Sequence, residues 1–388
     1  MTKEKLPLPA ASFILQLILV MNLLLQILNR FEIIPHRKYL LASMSLLLFI
    51  FSVWEFRKVF LVHDFFIGLI LLYCLLYYRF VSQIGHVGML SSLPYLLIGY
   101  SLGLLFRYSD WSENTFIIYV LLGFLPFFYG FFIKGIDTEG GYLFAMNRNT
   151  ISALLIPAIS LHAISSELKE KRYILMFPSL INLLFAYLSK SRAGLLLSIL
   201  LATVILIRNI SHWFQFSNRQ YPHNRLKKLL AFLLAGILLL AGFFSIRYLL
   251  VHSRFSTEGL SSNGRFEIFS QFVSELSIKK LVFGFRPSVD KKLGLHNSYL
   301  TMLSFYGIMA FVFIALIIFA LIKFAKSSVL MFGMLLIWGL YSLVESISPL
   351  DIGDQILIPL LMIAYPPKRW DIVLFPFFTL RENNPNHT

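Results

Sequence analysis

Residues 183–208 run LLFAYLSKSRAGLLLSILLATVILIR. Two apolar runs are separated only by Ser189-Lys190-Ser191-Arg192. Four residues are too few for a solvated loop, but they suffice for the tip of a helical hairpin. Measured against the roughly twenty apolar residues that one bilayer crossing needs, both sides read as transmembrane helices, 173–188 and 193–208. They are short and nearly fused.

The rest of the chain agrees. Of 388 residues, 58% are hydrophobic and 14% charged, about half the charge of an ordinary soluble domain. A soluble protein has nowhere to bury so much Leu, Ile and Phe. The class is an all-α polytopic membrane protein, a single integral membrane domain over 1–388, because helices satisfy their backbone within each span. A β-barrel would show short alternating strands instead. The net charge of +15 reads as Lys and Arg flanking the spans and meeting lipid headgroups, so nucleic acid is not an expected partner. The single cysteine, Cys74, excludes an internal disulfide. The first apolar run is long enough to stay in the bilayer, so it reads as a span and not as a cleaved leader.

The same length criterion gives about twelve spans, near 10–29, 39–54, 63–80, 89–106, 115–133, 149–165, 173–188, 193–208, 229–246, 298–322, 328–344 and 355–366. Lys/Arg bias places both termini in the cytoplasm, with Arg57-Lys58, Lys169 to Arg172, Arg208 to Lys228 and Lys323 to Lys326. The acidic loop 345–354 then lies outside. So does the longest polar segment, 247–296, between spans nine and ten. It carries Arg247, Arg254, Arg265, Lys279, Lys280, Arg286, Lys291 and Lys292 against Glu258, Glu267, Glu275 and Asp290. Long loops translocate despite their charge, yet a basic outer loop asks for a reason, and anion binding supplies one. Apolar Phe266, Phe269, Phe272 and Val273 predict a helix over 265–276, lying on the outer membrane surface.

Candidate site residues gather at that boundary. Arg192, at the mouth of the tight turn, can grip a phosphate through paired hydrogen bonds. Ser189, Ser191 and Gly194 let helices pack closely around it. His296, with Asn297 and Tyr299 at the start of the next helix, has the titration range of a general base. Arg265 opens the loop helix, where an anionic ligand is the natural partner. Arg254 is a further anion contact. Asn149, in Asn147-Arg148-Asn149, either caps the sixth span or bonds sugar hydroxyls. Glu345 ends the eleventh span and pairs with an arginine. No His/Asp/Glu cluster has metal-ligand spacing, so neither metal nor cofactor is expected. There is no Ser-His-Asp set and no paired-carboxylate motif.

In their order, Asn-x-Asn (147–149), Ser-x-Ser-Arg-x-Gly (189–194), Gly-Arg (264–265), Gly-Phe (284–285) and His-Asn-x-Tyr-Leu (296–300) resemble the O-antigen ligase/polymerase superfamily over roughly 145–350. Arg286 stands where that family has the second glycine of a Gly-x-Gly, and Phe269 where a tryptophan is usual. The resemblance implies a metal-independent glycosyltransferase of the bacterial cytoplasmic membrane with an extracytoplasmic site. Its donor is a glycan on a polyprenyl diphosphate, and its acceptor is a sugar hydroxyl. Arg192 and Arg265 would stabilise the diphosphate, His296 would act on the hydroxyl, and Asn149, Asn297 and Tyr299 would position sugars. A polymerase of surface polysaccharide repeat units is the favoured form. A ligase differs only in its acceptor, and a lipid-glycan flippase is the different-class alternative. A chain-length regulator protein is a candidate partner.

Overall fold

The computed structural model describes residues 12–30, 37–57, 59, 61–82, 86–135, 142–143, 146–220, 247, 251, 265–287, 297–345, 347 and 351–366. Its helices are α1 (Phe13–Arg30), α2 (Arg37–Phe56), α3 (Val62–Ser82), α4 (His86–Tyr108), α5 (Glu113–Phe128, closed by a π-helical turn, Tyr129–Ile133), α6 (Arg148–Leu168), α7 (Phe177–Leu188), α8 (Arg192–Gln220), α9 (Arg265–Ser274), α10 (Ile278–Phe283), α11 (Ser298–Tyr306), α12 (Met309–Ser327), α13 (Val329–Val344) and α14 (Asp354–Ala364). A short antiparallel hairpin, β1 (Tyr142–Leu143) with β2 (Met146–Asn147), leads into α6.

Four helical stretches are long and apolar enough to cross a membrane: Lys38–Phe56, Asn114–Ile133, Arg192–Trp213 and Met309–Ser327. Shorter apolar helices accompany them, among them Val62–Tyr78, Phe177–Leu188 and Val329–Val344. Only 22% of the Met309–Ser327 window is buried. Phe311, Val312, Ile318, Phe319 and Ile322 all face outward from it. Apolar surface of that extent is not tolerated in water, and the bundle is that of a membrane protein. The expected ninth span, 229–246, lies outside the described residues, as does most of 247–296.

Two expectations are refined. The run 298–322 is not one helix, because Gly307 (φ +54°) divides it into α11 and α12. A Cβ at Gly307 would strike the Val282 carbonyl and the Gly284 backbone nitrogen. The chain after α10 docks into this corner: Phe285 N donates to Ser304 O at 2.5 Å and Ile308 N to Val282 O at 3.2 Å. α11 has nine residues, about 14 Å of helix, too few to cross a bilayer. It lies as a crosspiece from the end of α13 to α3, where the Tyr78 and Phe305 rings meet at 4.5 Å. The loop helix predicted from Phe266, Phe269, Phe272 and Val273 forms as α9, but Ile268 and Phe272 are its buried pair, while Phe266, Phe269 and Val273 stay exposed. The expected face is therefore split between core and surroundings.

Close contacts fix how the helices align. At what we term the lower end, Glu167 takes the Arg208 guanidinium (Nε to Oε2, 2.7 Å) and the Ser328 hydroxyl (2.7 Å). This joins the end of α6, the middle of α8 and the start of α13. Higher up, a Cβ at Gly194 would meet Ser152 Oγ, and one at Gly333 would meet Val204. So 152 pairs with 194 and 167 with 208, offsets of 42 and 41, which makes α6 and α8 parallel. The pairs 204/333 and 208/328 sum to 537 and 536, the signature of antiparallel α8 and α13. Also at the lower end, Asp64 pairs with Arg107 and accepts from the Tyr108 hydroxyl, and Arg107 donates to the Met362 and Tyr365 carbonyls. Buried charges survive in such a place only when paired and hydrogen-bonded. The clasp joins α3, α4 and α14. The eleven-residue α14 begins opposite Gly99, more than halfway along α4, so it occupies only the lower part of the bundle.

Candidate functional site

The hairpin tip at the upper end is built by local chemistry. Ser189 N donates to Phe185 O at 2.8 Å and Lys190 N to Tyr187 O at 3.0 Å, which closes α7. Lys190 then takes a left-handed conformation (φ +55°), reversing the chain within one residue. Ser191 starts α8: its hydroxyl accepts from Gly194 N at 3.1 Å, as an N-cap does. Arg192 is thus the first residue of α8, half-buried, in a first turn that contains no acid. A helix start already favours anions, and a guanidinium there adds a forked donor to that field.

Register brings other residues to this height. Along parallel α6, the partner of Ser191 is Asn149, since 149 + 42 = 191. Along antiparallel α13, Glu345 lies at the height of Arg192, since 537 − 192 = 345. Asn149 has its backbone placed in the first turn of α6.

Asn297 arrives from a fourth element. Its Oδ1 caps α11 by accepting from Leu300 N at 3.0 Å, and its Nδ2 donates to Leu343 O at 3.0 Å. The Ser298 hydroxyl donates to Glu345 O (3.1 Å) and accepts from Ile347 N (3.0 Å). Tyr299 reaches down α13, its hydroxyl on Gly339 O at 3.2 Å and its ring edge-on to Trp338. Asn297 and Tyr299, expected as sugar contacts, therefore tie α11 to the end of α13.

Beneath Glu345, on the same face of α13, lie Ser342 and Trp338 at the three- and seven-residue spacings of one helical stripe. Ser342 Oγ and Trp338 Nε1 are buried without a hydrogen-bond partner among the described residues, and so is Ser152 Oγ, level with Gly194. Buried polar atoms are ordinarily paired, so these three are polar groups that the packing of α6 and α13 encloses without satisfying them among the described residues.

Arg254 and His296 lie outside the described residues. Arg265 begins α9, with only its backbone placed. Among the described residues no group of three or more His, Cys, Asp or Glu could hold a metal ion. Ser152, Ser342 and Trp338 were not anticipated; a lone Ser or Trp in an apolar run gives no signal until its neighbours are known. Compared with family models, curated proteins and solved structures, the chain matches none.

Proposed function

We propose that the upper end faces outside the cell and is the active site of a metal-independent glycosyltransferase in the bacterial cytoplasmic membrane. The observation that carries this reading is the convergence of Asn149, Arg192, Asn297 and Glu345, from four separated elements, at one end of the bundle. The donor is a glycan on a polyprenyl diphosphate. An acceptor sugar hydroxyl attacks the anomeric carbon, its proton passes to His296, and the bond to the diphosphate oxygen breaks with both electrons leaving on the lipid diphosphate. Arg192, assisted by Arg265 and Arg254, stabilises that growing charge without a metal. A repeat-unit polymerase is the favoured form, and a ligase uses the same chemistry on another acceptor.

A second reading, a lipid-glycan flippase, has one observation in its favour. α14 starts inside the bundle, where Gln355 donates to Gln26 with both side chains fully buried. Helices that begin at mid-membrane beside polar groups are a transporter device.

The test is reconstitution of the purified chain with a polyprenyl-diphosphate glycan. The enzyme reading expects a new glycosidic product, lost in Arg192→Ala and His296→Ala. If no product forms but labelled lipid-glycan crosses the vesicle membrane, the flippase reading replaces it. In cells, loss of a polymerase leaves single repeat units on carrier lipid, whereas loss of a ligase leaves long unattached chains.

A further inference from the structure

α9 and α10 carry apolar surface that the protein core does not use. At about 100° per residue, α9 divides into three stripes. Ile268 and Phe272 face the core, and the Phe272 ring packs on Phe285 at 5.3 Å. Phe266, Phe269 and Val273 form a second stripe, 73%, 48% and 46% exposed. Glu267, Ser270, Gln271 and Ser274 form a third, also exposed and wholly polar. The centres of the two exposed stripes lie about 120° apart round the helix axis. Water on every outer side gives no reason for such sorting. A helix lying at the boundary of apolar and polar surroundings is sorted in this way.

Depth is set by α10. The Tyr77 hydroxyl donates to Phe283 O at 2.8 Å. α3 climbs from Asp64 in the lower clasp, so residues after Tyr77 lie higher. Phe80, three residues or about 4.5 Å above Tyr77, is 80% exposed. A helical side chain leans toward the N-terminus of its helix, here downward, so Phe283 lies at or below the height of Tyr77. The outward surface of α3 is therefore still apolar above the level at which α10 is attached. On the other side, Val282 O accepts from Ile308 N at 3.2 Å, and Ile308, Met309, Phe311 and Val312 open the outward face of α12. Exposed Ile278, Val282 and Phe283 thus continue the surface that α3 and α12 turn to lipid. Charge matches this placement. Lys279 and Arg286 are exposed, and no acid occurs from 276 to 289, which suits side chains that reach up to headgroup phosphates.

We propose that α9 and α10 are embedded in the leaflet at the upper end, as an interfacial element that does not span it. Acyl chains cover Phe266, Phe269, Val273, Ile278, Val282 and Phe283. Headgroup phosphates meet Lys279 and Arg286, and water meets the Glu267–Ser274 stripe. This is deeper than a helix resting on the membrane surface. The partner is the bilayer and not another protein, because the apolar surface of α10 is continuous with the lipid-facing surface of α3 and α12. The embedding does not depend on the glycosyltransferase reading. It holds the start of α9, where Arg265 stands, at headgroup depth, the level of any lipid-linked diphosphate.

The test is site-directed spin labelling of the full chain in vesicles of phosphatidylglycerol and phosphatidylethanolamine. Each variant carries Cys74→Ala and one introduced cysteine. Collision of the label with oxygen, which concentrates among acyl chains, is compared with collision with a water-soluble nickel chelate. Labels at Phe266→Cys, Phe269→Cys and Phe283→Cys should favour oxygen, as a label at Phe311→Cys on α12 does. Labels at Glu267→Cys and Ser274→Cys should favour nickel. The label at Phe283→Cys should read deeper than one at Phe80→Cys. In the unmodified chain, phosphatidylglycerol with a diazirine in one acyl chain should label Phe266 and Phe269 but not Gln271. Nickel-dominated collision at the three apolar positions overturns the proposal, because α9 and α10 then stand in water. Low collision with both reagents overturns it as well, because the stripe is then covered by protein, from this chain or a second copy. A Phe283 label shallower than the Phe80 label, or equal diazirine labelling of Phe269 and Gln271, has the same force.

Discussion

Arg192 and Glu345 stand at the same height. Val204 of α8 abuts Gly333 of α13, and each of the two residues lies twelve positions above that contact, since 204 − 192 = 12 and 345 − 333 = 12. Both helices rise about 1.5 Å per residue, so each residue is about 18 Å above the contact. One is a permanent cation at a helix start, and the other an acid at a helix end. In the proposed enzyme the pair divides its labour: Arg192 meets the diphosphate, and Glu345 orients the guanidinium. Arg192→Ala is expected to lower transfer by about 10²–10³-fold, the usual loss when one preorganised donor to a developing charge is removed. Arg192→Lys keeps the charge but loses the fork, and should recover only part of the rate. With Glu345→Gln as the second mutation, a double-mutant cycle on transfer rate should show strong non-additivity; simple additivity would mean that the two residues act apart.

The close approach of α6 and α8 depends on Gly194. A Cβ there meets Ser152 Oγ, Ser152 Cβ and Ser191 Oγ. Gly194→Ala should destabilise the protein by about 1–3 kcal/mol through overpacking, read as a lowered Tm in detergent. Ser152→Gly removes two of the three obstructing atoms and should restore part of the loss in the double variant. No rescue would mean that α6 and α8 are not in contact at this point.

The hairpin tip stores strain at Lys190, a non-glycine residue at φ +55°. A left-handed conformation costs an L-residue roughly 1–2 kcal/mol, and glycine is exempt. Lys190→Gly should therefore raise Tm, offset in part by glycine's greater freedom when unfolded. A lower Tm would mean that the lysine side chain contributes more than its backbone costs.

The helices of this fold were legible because hydrophobic runs of bilayer length leave the backbone few other choices. The apolar runs near 39–54, 115–133 and 193–208 reappear as α2, α5 with its π turn, and α8. What periodicity cannot supply is register between helices. Nothing in the sequence pairs 152 with 194 or 204 with 333, and those pairings are what bring Asn149, Arg192 and Glu345 level. The break of the 298–322 run had a visible signal in Gly307, but a glycine within an apolar run is as often tolerated as disruptive. Asn297 was read as a ligand contact, yet its amide holds α11 to the Leu343 carbonyl, because a cap and a ligand donor look alike in sequence. Charges within apolar runs were the stronger unused signal: Asp64, Arg107 and Arg208 all proved to be clasped.

The Glu167–Arg208–Ser328 bridge at the lower end sets the register on which the upper cluster depends. Arg208 is 4% exposed, and it spends its guanidinium on Glu167 and on the Lys171 and Arg172 carbonyls. Glu167 in turn accepts from Ser328, so one carboxylate joins α6, α8 and α13. Glu167→Ala leaves a buried cation without its counter-charge and is expected to cost about 3–5 kcal/mol. Replacing both partners with apolar residues, Glu167→Leu with Arg208→Met, removes the stranded charge and should recover much of the stability. The register predicts a further split. The single variant should lose transfer activity together with thermal stability, because α8 and α13 slip and part Arg192 from Glu345. The double variant should be stable yet remain impaired in transfer, because apolar packing lacks the directionality of the carboxylate bridge. If the double variant transfers at the wild-type rate, the upper cluster keeps its alignment without the clasp, and the register is held by the Gly333–Val204 and Gly194–Ser152 contacts alone.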